Sequence, residues 1–359
     1  MNSKPSLLVI HKTQFGYHTG NREMAKALRE NYNITILCFD TNQKKYCFDG
    51  IEVRYIEYKG SYLIKGVRYL LACLKEIRSG YDLVFLNFFF GCFLLSIFSK
   101  SNIILDFRTA SVNKKKMVRC RADFAARLEA RFFPHVTVIS EGVRDILKIP
   151  IHKSSILPLG SNILSEGNKE FKSPSLFYIG SISNRNINQT IEGLAVFLNE
   201  NRQYRDVLRY HIVGTAQKNE IRDLEELVFS LGLERNVSFH GKMTHDEANL
   251  FFDNCNIGVS YVPITDYYNY QPPTKTYEYI LSGMACLATA TSENIKCINS
   301  KNGVLVNDTA EDFAVGLKKL IINFESFNSD DIRSTLIDHT WEKISQDFNR
   351  VLQKQMEIS

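Results

Sequence analysis

Short, largely apolar runs, the earliest of them without a polar residue, recur along this chain in two series. Leu7-Leu8-Val9-Ile10 opens the first, followed by Asn33–Phe39, Glu52–Ile56, Asp82–Phe89, Ile103–Phe107, Val136–Ile139 and Ile156–Leu159. A strand that is apolar at nearly every position is covered on both faces, as strands of parallel sheets are. Between these runs the apolar residues return at three and four. Met24, Ala27 and Leu28 do so, as do Leu63, Val67, Leu70, Leu71 and Leu74 within Tyr62–Ile77, and a basic segment spans Lys114–Phe133. That spacing predicts helices, with Asn21 as a cap for the first. Strand and helix in turn predict a parallel sheet with helices on both faces.

A polar stretch, Gly160–Ser173, interrupts the pattern and reads as a linker. The alternation then restarts. Strands are expected at Ser175–Ile179, Leu208–Val213, Val237–His240, Ile257–Tyr261, Ala285–Ala288 and Gly303–Val306, with helices between them and Thr244 capping one. The tail, Asp330–Met356, reads as two more helices, with Trp341 anchoring the last. With 359 residues, the chain divides into a first domain over 1–163, a second over 164–338, and a helix over 339–359 that returns to the first.

Composition narrows the function class. A net charge of +5 suits small anions or an anionic membrane surface and is too weak a footprint for nucleic acid. The eight cysteines form no CxxC pair, so a zinc site is not expected and reduced core thiols are. Met1–Pro5 is short and polar, without a signal peptide, which points to the cytosol. Leu83–Phe98 is shorter than the roughly 20 residues of a spanning helix and reads as a buried strand, a glycine turn and a buried helix.

The candidate site is Gln271–Thr289. Pro272 and Pro273 stop regular structure, and a helix begins near Pro273. Lys275 and Glu278 then share one face, Gly283 ends the helix, and Ala285–Ala288 is a small-residue core strand. Open parallel sheets bind ligands beside such loops. An ammonium neutralises a diphosphate and a carboxylate accepts from ribose hydroxyls; the competing reading is an ordinary helix ion pair of roughly 0.2–0.5 kcal/mol. Glycine turns follow several strands: Gly16–Gly20 with His18, Gly180-Ser181 with Arg185, and Gly214 and Gly241. Such turns admit a phosphate to backbone N–H groups. The basic segment from Lys114, Lys115 and Lys116 to Arg131 carries Phe124, Leu128 and Phe132 on another face. It reads either as a surface for anionic headgroups or as a solvated face over a core stripe. No GxSxG, HExxH, GxxxxGK[ST] or Asp-x-Asp is present.

In order, Phe177-Tyr178-Ile179-Gly180, Tyr210–Gly214, Leu231–Gly241 and Pro273–Gly283 resemble the donor domain of the family-four glycosyltransferases of bacterial surface-polysaccharide type. Val136–Glu141 and Leu157–Gly160 are similar to that family's segments before the linker. The resemblance implies an α/β GT-B fold, two Rossmann-like parallel-sheet domains facing across a cleft. It implies retaining transfer from a UDP- or GDP-sugar to a glycan or lipid-linked glycan, without cofactor or metal, and work at the inner face of the plasma membrane. On that pattern Glu278 holds the ribose, and Gly180, Ser181 and Arg185 meet the diphosphate with Lys275 and Thr274 close by. Gly214, Gly241 and Lys242 border the nucleotide, and Gly16, His18 and Gly20 close over it from the first domain. Asp106 and Arg108 would serve the acceptor or the transferred sugar, with Arg185, Lys275 and Asp106 as the catalytic groups. One position departs: relatives carry two glutamates eight apart, and Tyr270 stands in place of the first. Two other readings remain open, a nucleotide-sugar epimerase on the same fold and a non-catalytic binding partner of a transferase.

Overall fold

The computed structural model describes residues 4–357, without the side chains of His245 and Asp246. Two compact units divide the chain. One holds the residues up to Gly160 together with those from Trp341 onward; the other is Ser161–Thr340.

The first unit contains β1 (Ser6–Ile10), α1 (Thr19–Leu28), β2 (Asn33–Asp40), β3 (Ile51–Glu57), α2 (Tyr62–Ile77), β4 (Leu83–Asn87), α3 (Phe93–Phe98), β5 (Ile103–Phe107), α4 (Lys116–Ala130), β6 (His135–Val138), α5 (Glu141–Ile146) and β7 (Ser154–Ile156). The second contains β8 (Ser175–Ser181), α6 (Ile187–Glu200), β9 (Arg209–Thr215), α7 (Lys218–Ser230), β10 (Val237–Phe239), α8 (His245–Asn254), β11 (Ile257–Ser260), α9 (Thr274–Leu281), β12 (Ala285–Thr289), α10 (Ser292–Cys297), β13 (Gly303–Val306), α11 (Ala310–Ile322) and α12 (Ser329–Ser334). The last helix, α13 (Trp341–Glu357), belongs to the first unit.

Both sheets are parallel throughout. Their orders are β3-β2-β1-β4-β5-β6-β7 and β10-β9-β8-β11-β12-β13. In each, the strand order reverses beside the first strand, at β1/β4 and at β8/β11. That reversal opens a crevice at the strands' carboxyl ends. The unbroken apolar runs are buried as expected: Leu7, Leu8, Ile10, Leu83, Val84 and Leu86 are closed to solvent.

Two layers of helices cover the first sheet. On one face, α2, α3, α4 and α5 share a core with Leu8, Ile10, Val84 and Leu105. On the other, α1 and α13 share a core with Leu7, Val9 and Phe85. The spacing of α13 explains its place. Trp341, Ile344, Phe348 and Leu352 are buried at intervals of three and four. Phe348 meets Phe85 with ring centroids 4.8 Å apart, and Tyr32 donates to Asn349 Oδ1 at 2.7 Å. Burial of such side chains stabilises by about 2–3 kcal/mol each.

Four expectations are corrected. First, α1 starts at Thr19, and its cap is His18, whose Nδ1 accepts from the Asn21 N–H at 3.2 Å; Asn21 lies inside the helix. Second, α2 has the expected ends, but of the five residues whose spacing marked it only Leu70 and Leu74 pack on the core. It buries Tyr69, Cys73 and Ile77, while Leu63, Val67 and Leu71 are exposed. The helix is apolar nearly all round, and the large ring of Tyr69 with the slim Cys73 fits against Phe39 and Phe89. Third, Phe124, Leu128 and Phe132 are not a core stripe: α4 buries the small Ala126 and Ala130 and the Glu129 side chain, so the rings stay outside. Fourth, α3 is a half-exposed helix with only Leu95 buried. Glu129 pins its entry by accepting from the N–H groups of Gly91 at 2.8 Å and Phe93 at 3.2 Å.

Candidate functional site

The site in the second unit is built at the carboxyl ends of β8 and β9 and the start of α9. Pro273 occupies the cap position rather than the first turn, and the helix begins one residue later. Gly283, at φ +75°, ends it as expected. Every residue of α9 from Lys275 to Leu281 is buried. An eight-residue helix is too short to hold itself in water, so its neighbours must hold it. Tyr279 accepts the Ile179 N–H of β8 at 3.0 Å. Its ring lies flat on β11 where a Cβ at Gly258 would come 2.1 Å from Cγ. Thr276 Oγ1 bonds Ser260 at 2.6 Å and donates to Asn294 Oδ1 at 2.8 Å. The side-chain amide of Asn294 donates in turn to the Thr289 carbonyl at 2.8 Å.

This clamp fixes Lys275, which is only 9% exposed. Its ammonium lies 3.7 Å from the centre of the Tyr178 ring. Among the described residues Nζ has no hydrogen-bond partner. Burial, and then the Arg185 guanidinium, pull its pKa down to about 7, while Glu278 acts in the opposite sense. A buried ammonium without a hydrogen-bond partner is costly, and an anion in reach would satisfy it.

Gly180 and Arg185 flank the same point. Gly180 has φ +138°, and a Cβ there would lie 3.2 Å from Lys275 Nζ. The turn after it places Asn184 at φ +61° and Asn186 at φ +51°, both left-handed. Asparagine tolerates that region better than most residues, but two in three positions store strain. The turn ends with the Arg185 guanidinium 4.3 Å from the Tyr268 ring centre. The structure thus brings Lys275, Arg185, Gly180 and Tyr178 together, with Glu278, 7% exposed, acting on the same ammonium.

The remaining expected residues of this unit fall around that point. Ser181 is exposed, and its hydroxyl reaches the Ser183 carbonyl at 3.4 Å. Gly214 is glycine for a packing reason: a Cβ there would sit 1.9 Å from the Gly180 carbonyl oxygen. Gly241 is left-handed at φ +69°, and its carbonyl accepts from the Gly214 N–H at 2.8 Å. Lys242 and Thr274 are exposed, and Tyr270 is half-buried.

In the first unit the expected residues form a second polar cluster at the carboxyl ends of β1, β4 and β5. Asp106 is fully buried, accepting from Thr137 Oγ1 at 2.7 Å and Asn87 Nδ2 at 2.6 Å. Asn87 Oδ1 accepts from Asn21 Nδ2 at 2.9 Å, which ties Asp106 to the start of α1. Arg108 Nε lies 3.9 Å from Asp106, and its Nη1 donates to the Leu157 carbonyl at 2.8 Å. Burial raises the Asp106 pKa against the pull of Arg108. Burial, and then Arg108, lower that of His18. Gly16, at φ +99°, is covered by the Tyr46 ring, and Gly20 by Trp341; a side chain at either would clash.

Sequence reasoning missed four residues here. His11, directly after β1, is buried, and desolvation holds its pKa near 3, so it stays neutral. Tyr178, Thr276 and Tyr279 were read as parts of an apolar strand and helix. A hydroxyl in the middle of a core run was the available signal, because such a group needs a partner.

Among the described residues no three His, Cys, Asp or Glu side chains gather as a metal site would, and no helix is long and apolar enough to cross a membrane. No protein-family model matches the chain, and no curated protein matches it in sequence. Solved structures do match in shape. Sucrose-phosphate synthase of Thermosynechococcus elongatus aligns over 99% of this chain and 100% of its own, at 15% identity and a TM-score of 0.74. HepE of Anabaena, in complex with UDP and glucose, aligns over 98% and 100%, at 14% identity and 0.74. The lipopolysaccharide outer core galactosyltransferase WaaB aligns over 98% and 99%, at 14% identity and 0.72. With its two Rossmann-like parallel-sheet domains and these neighbours, the chain has the α/β GT-B fold.

Proposed function

We propose that this chain is a retaining, metal-independent glycosyltransferase that moves a sugar from a UDP- or GDP-sugar to a glycan or lipid-linked glycan in bacterial surface-polysaccharide synthesis, at the inner face of the plasma membrane. The observation that carries the reading is the Lys275 ammonium, buried over Tyr178 without a hydrogen-bond partner among the described residues. Beside it a strained turn delivers Arg185. Two basic groups held at one point before a ligand arrives suit a nucleoside diphosphate, whose charge draws Lys275 fully into its ammonium form. As the bond from the sugar C1 to the diphosphate oxygen breaks, negative charge grows on that oxygen. Preorganised cations stabilise the growing charge without reorganising. The acceptor hydroxyl oxygen forms the new bond to C1, and its proton leaves with the diphosphate.

The other roles extend the same reading. Glu278, one turn further along α9, accepts from the ribose hydroxyls, and Gly241 and Lys242 border the base. Asp106 and Arg108 serve the acceptor side, with Asp106 acting through Asn87 and Asn21. The neighbours in fold include a protein solved with UDP and glucose, which supports a nucleotide-sugar donor. Calorimetry and product analysis across a panel of UDP- and GDP-sugars test the reading, and absence of binding to every donor sinks it. Tyr270 at the position of a glutamate favours one second reading, a partner that binds the donor without turning it over. Binding without product in the presence of native acceptor extract would select it.

A further inference from the structure

The outer surface of the first unit carries what a covered sheet does not need. On α2, Leu63, Val67 and Leu71 form one ridge at intervals of four and are 78%, 59% and 60% exposed. On the α4 side, Phe124, Leu128 and Phe132 form another, with 58%, 37% and 48% exposed. Both helices cover the same face of the sheet, and α3 lies between them, packed on α2 and joined to the other by the Phe93–Phe132 rings at 5.2 Å. Rows of large apolar side chains left in water on one face mark a partner.

Charge says which partner. From Lys114 to Arg131 there are seven Lys or Arg and two acids. Neither acid lines the pocket described next: Asp123 accepts from the Ser111 N–H at 2.8 Å and faces Arg119, and Glu129 holds the start of α3. At the C-terminal end of α4 a pocket of about 230 Å³ is lined by Arg127, Arg131, Lys148 and Lys153, with no acidic side chain in its lining. Four cations around a cavity of that size suit a phosphate group. Apolar ridges beside an excess of cations suit the boundary between headgroups and acyl chains. Nucleic acid would leave the ridges in water.

We infer that this face of the first unit docks on an anionic lipid bilayer. Leu63, Val67, Leu71, Phe124, Leu128 and Phe132 enter the acyl boundary, and the Arg127–Arg131–Lys148–Lys153 pocket holds a lipid phosphate. The inference names the surface behind the membrane location proposed above and rests on the first unit alone, so its failure leaves donor binding in the second unit untouched.

Flotation of the full chain with vesicles tests it. Vesicles of phosphatidylglycerol with phosphatidylcholine should carry the protein up, and vesicles of phosphatidylcholine alone should not. Arg127→Gln with Lys148→Gln should weaken binding about thirtyfold, at roughly five- to sixfold per cation. Val67→Asp with Phe124→Asp should remove the binding that survives high salt. Circular dichroism and UDP calorimetry check each variant's fold, and Phe124→Ser alone replaces the aspartate pair if that pair unfolds. Equal flotation with both vesicle types overturns the proposal, as does full retention by the variants. So does a dimer in sedimentation that the same substitutions split, which would assign the face to a second copy of the chain.

Discussion

Replacing Lys275 by Met should make the protein more stable and a poorer binder at once. Methionine keeps the length of the side chain, and its sulfur packs well on the Tyr178 ring. Burial lowers the lysine's pKa from 10.5 to about 7. At 1.36 kcal/mol per unit that fall sets a ceiling of roughly 5 kcal/mol on the penalty. Relaxation around the native charge reduces it, so a gain of about 2 kcal/mol is expected at pH 7, within the range seen when buried charges become apolar. The sign follows from proton counting. Unfolded, Lys275 keeps its proton to about pH 10; folded, it releases the proton near 7. Between those values the unfolded chain binds the extra proton, so wild-type stability rises with pH across the window, and the full penalty stands below it. Urea unfolding at pH 7 and pH 9.5 should therefore show a gap between variant and wild type that shrinks at the higher pH. UDP affinity should fall about thirtyfold in the variant, the worth of one charge-assisted contact. Wild-type binding at pH 8 should take up close to one proton, read from calorimetry in buffers of different ionisation enthalpy. A Met variant that is less stable at pH 7, or that binds UDP as the wild type does, refutes the reasoning.

Three further substitutions probe other parts of the structure. Glu278→Ala should weaken UDP binding about tenfold without lowering the unfolding midpoint; unchanged affinity would remove Glu278 from the site. Tyr279→Phe takes the acceptor from the Ile179 N–H. It should cost about 1–2 kcal/mol in urea unfolding and loosen nucleotide binding with it, since Tyr279 holds α9 in place. Phe348→Ala should cost about 3–5 kcal/mol by opening a cavity against Phe85, and UDP affinity measured below the transition should not change.

Much of the fold was legible because the central strands, covered on both faces, are apolar at nearly every position, whereas β3 at the sheet edge alternates and is half exposed. The ends of α2 were legible from local signals: Gly60-Ser61 stands directly before Tyr62, and Ser79-Gly80 follows soon after Ile77. Which side of that helix faces the sheet was not. Leucines at four-residue spacing mark a ridge, but the core chose Tyr69 and Cys73, whose shapes fit between Phe39 and Phe89. The same held for α4, where bulky Phe124 and Phe132 gave way to Ala126 and Ala130. Lys275, Glu278 and Arg185 were legible as charges at loop and helix starts. The groups that set their chemistry were not, since Tyr178 and Tyr279 look like core and their partners are distant in sequence. The Ile179–Tyr279 bond spans 100 positions. Gly214 reads from the sequence as a nucleotide rim; its close contact with the Gly180 carbonyl, between neighbouring strand ends, leaves no mark in the sequence.

Placing α13 in the first unit has a consequence for how the chain comes off the ribosome. The face of the first sheet around Phe85 is finished only by Phe348 and Leu352, which are synthesised after the whole of the second unit. Translation adds about 5–20 residues per second, so the roughly 180 residues between Gly160 and Trp341 leave that face open for about ten seconds or more. The second unit, encoded in between, is complete in the meantime. The unit that begins first is therefore the one that finishes last.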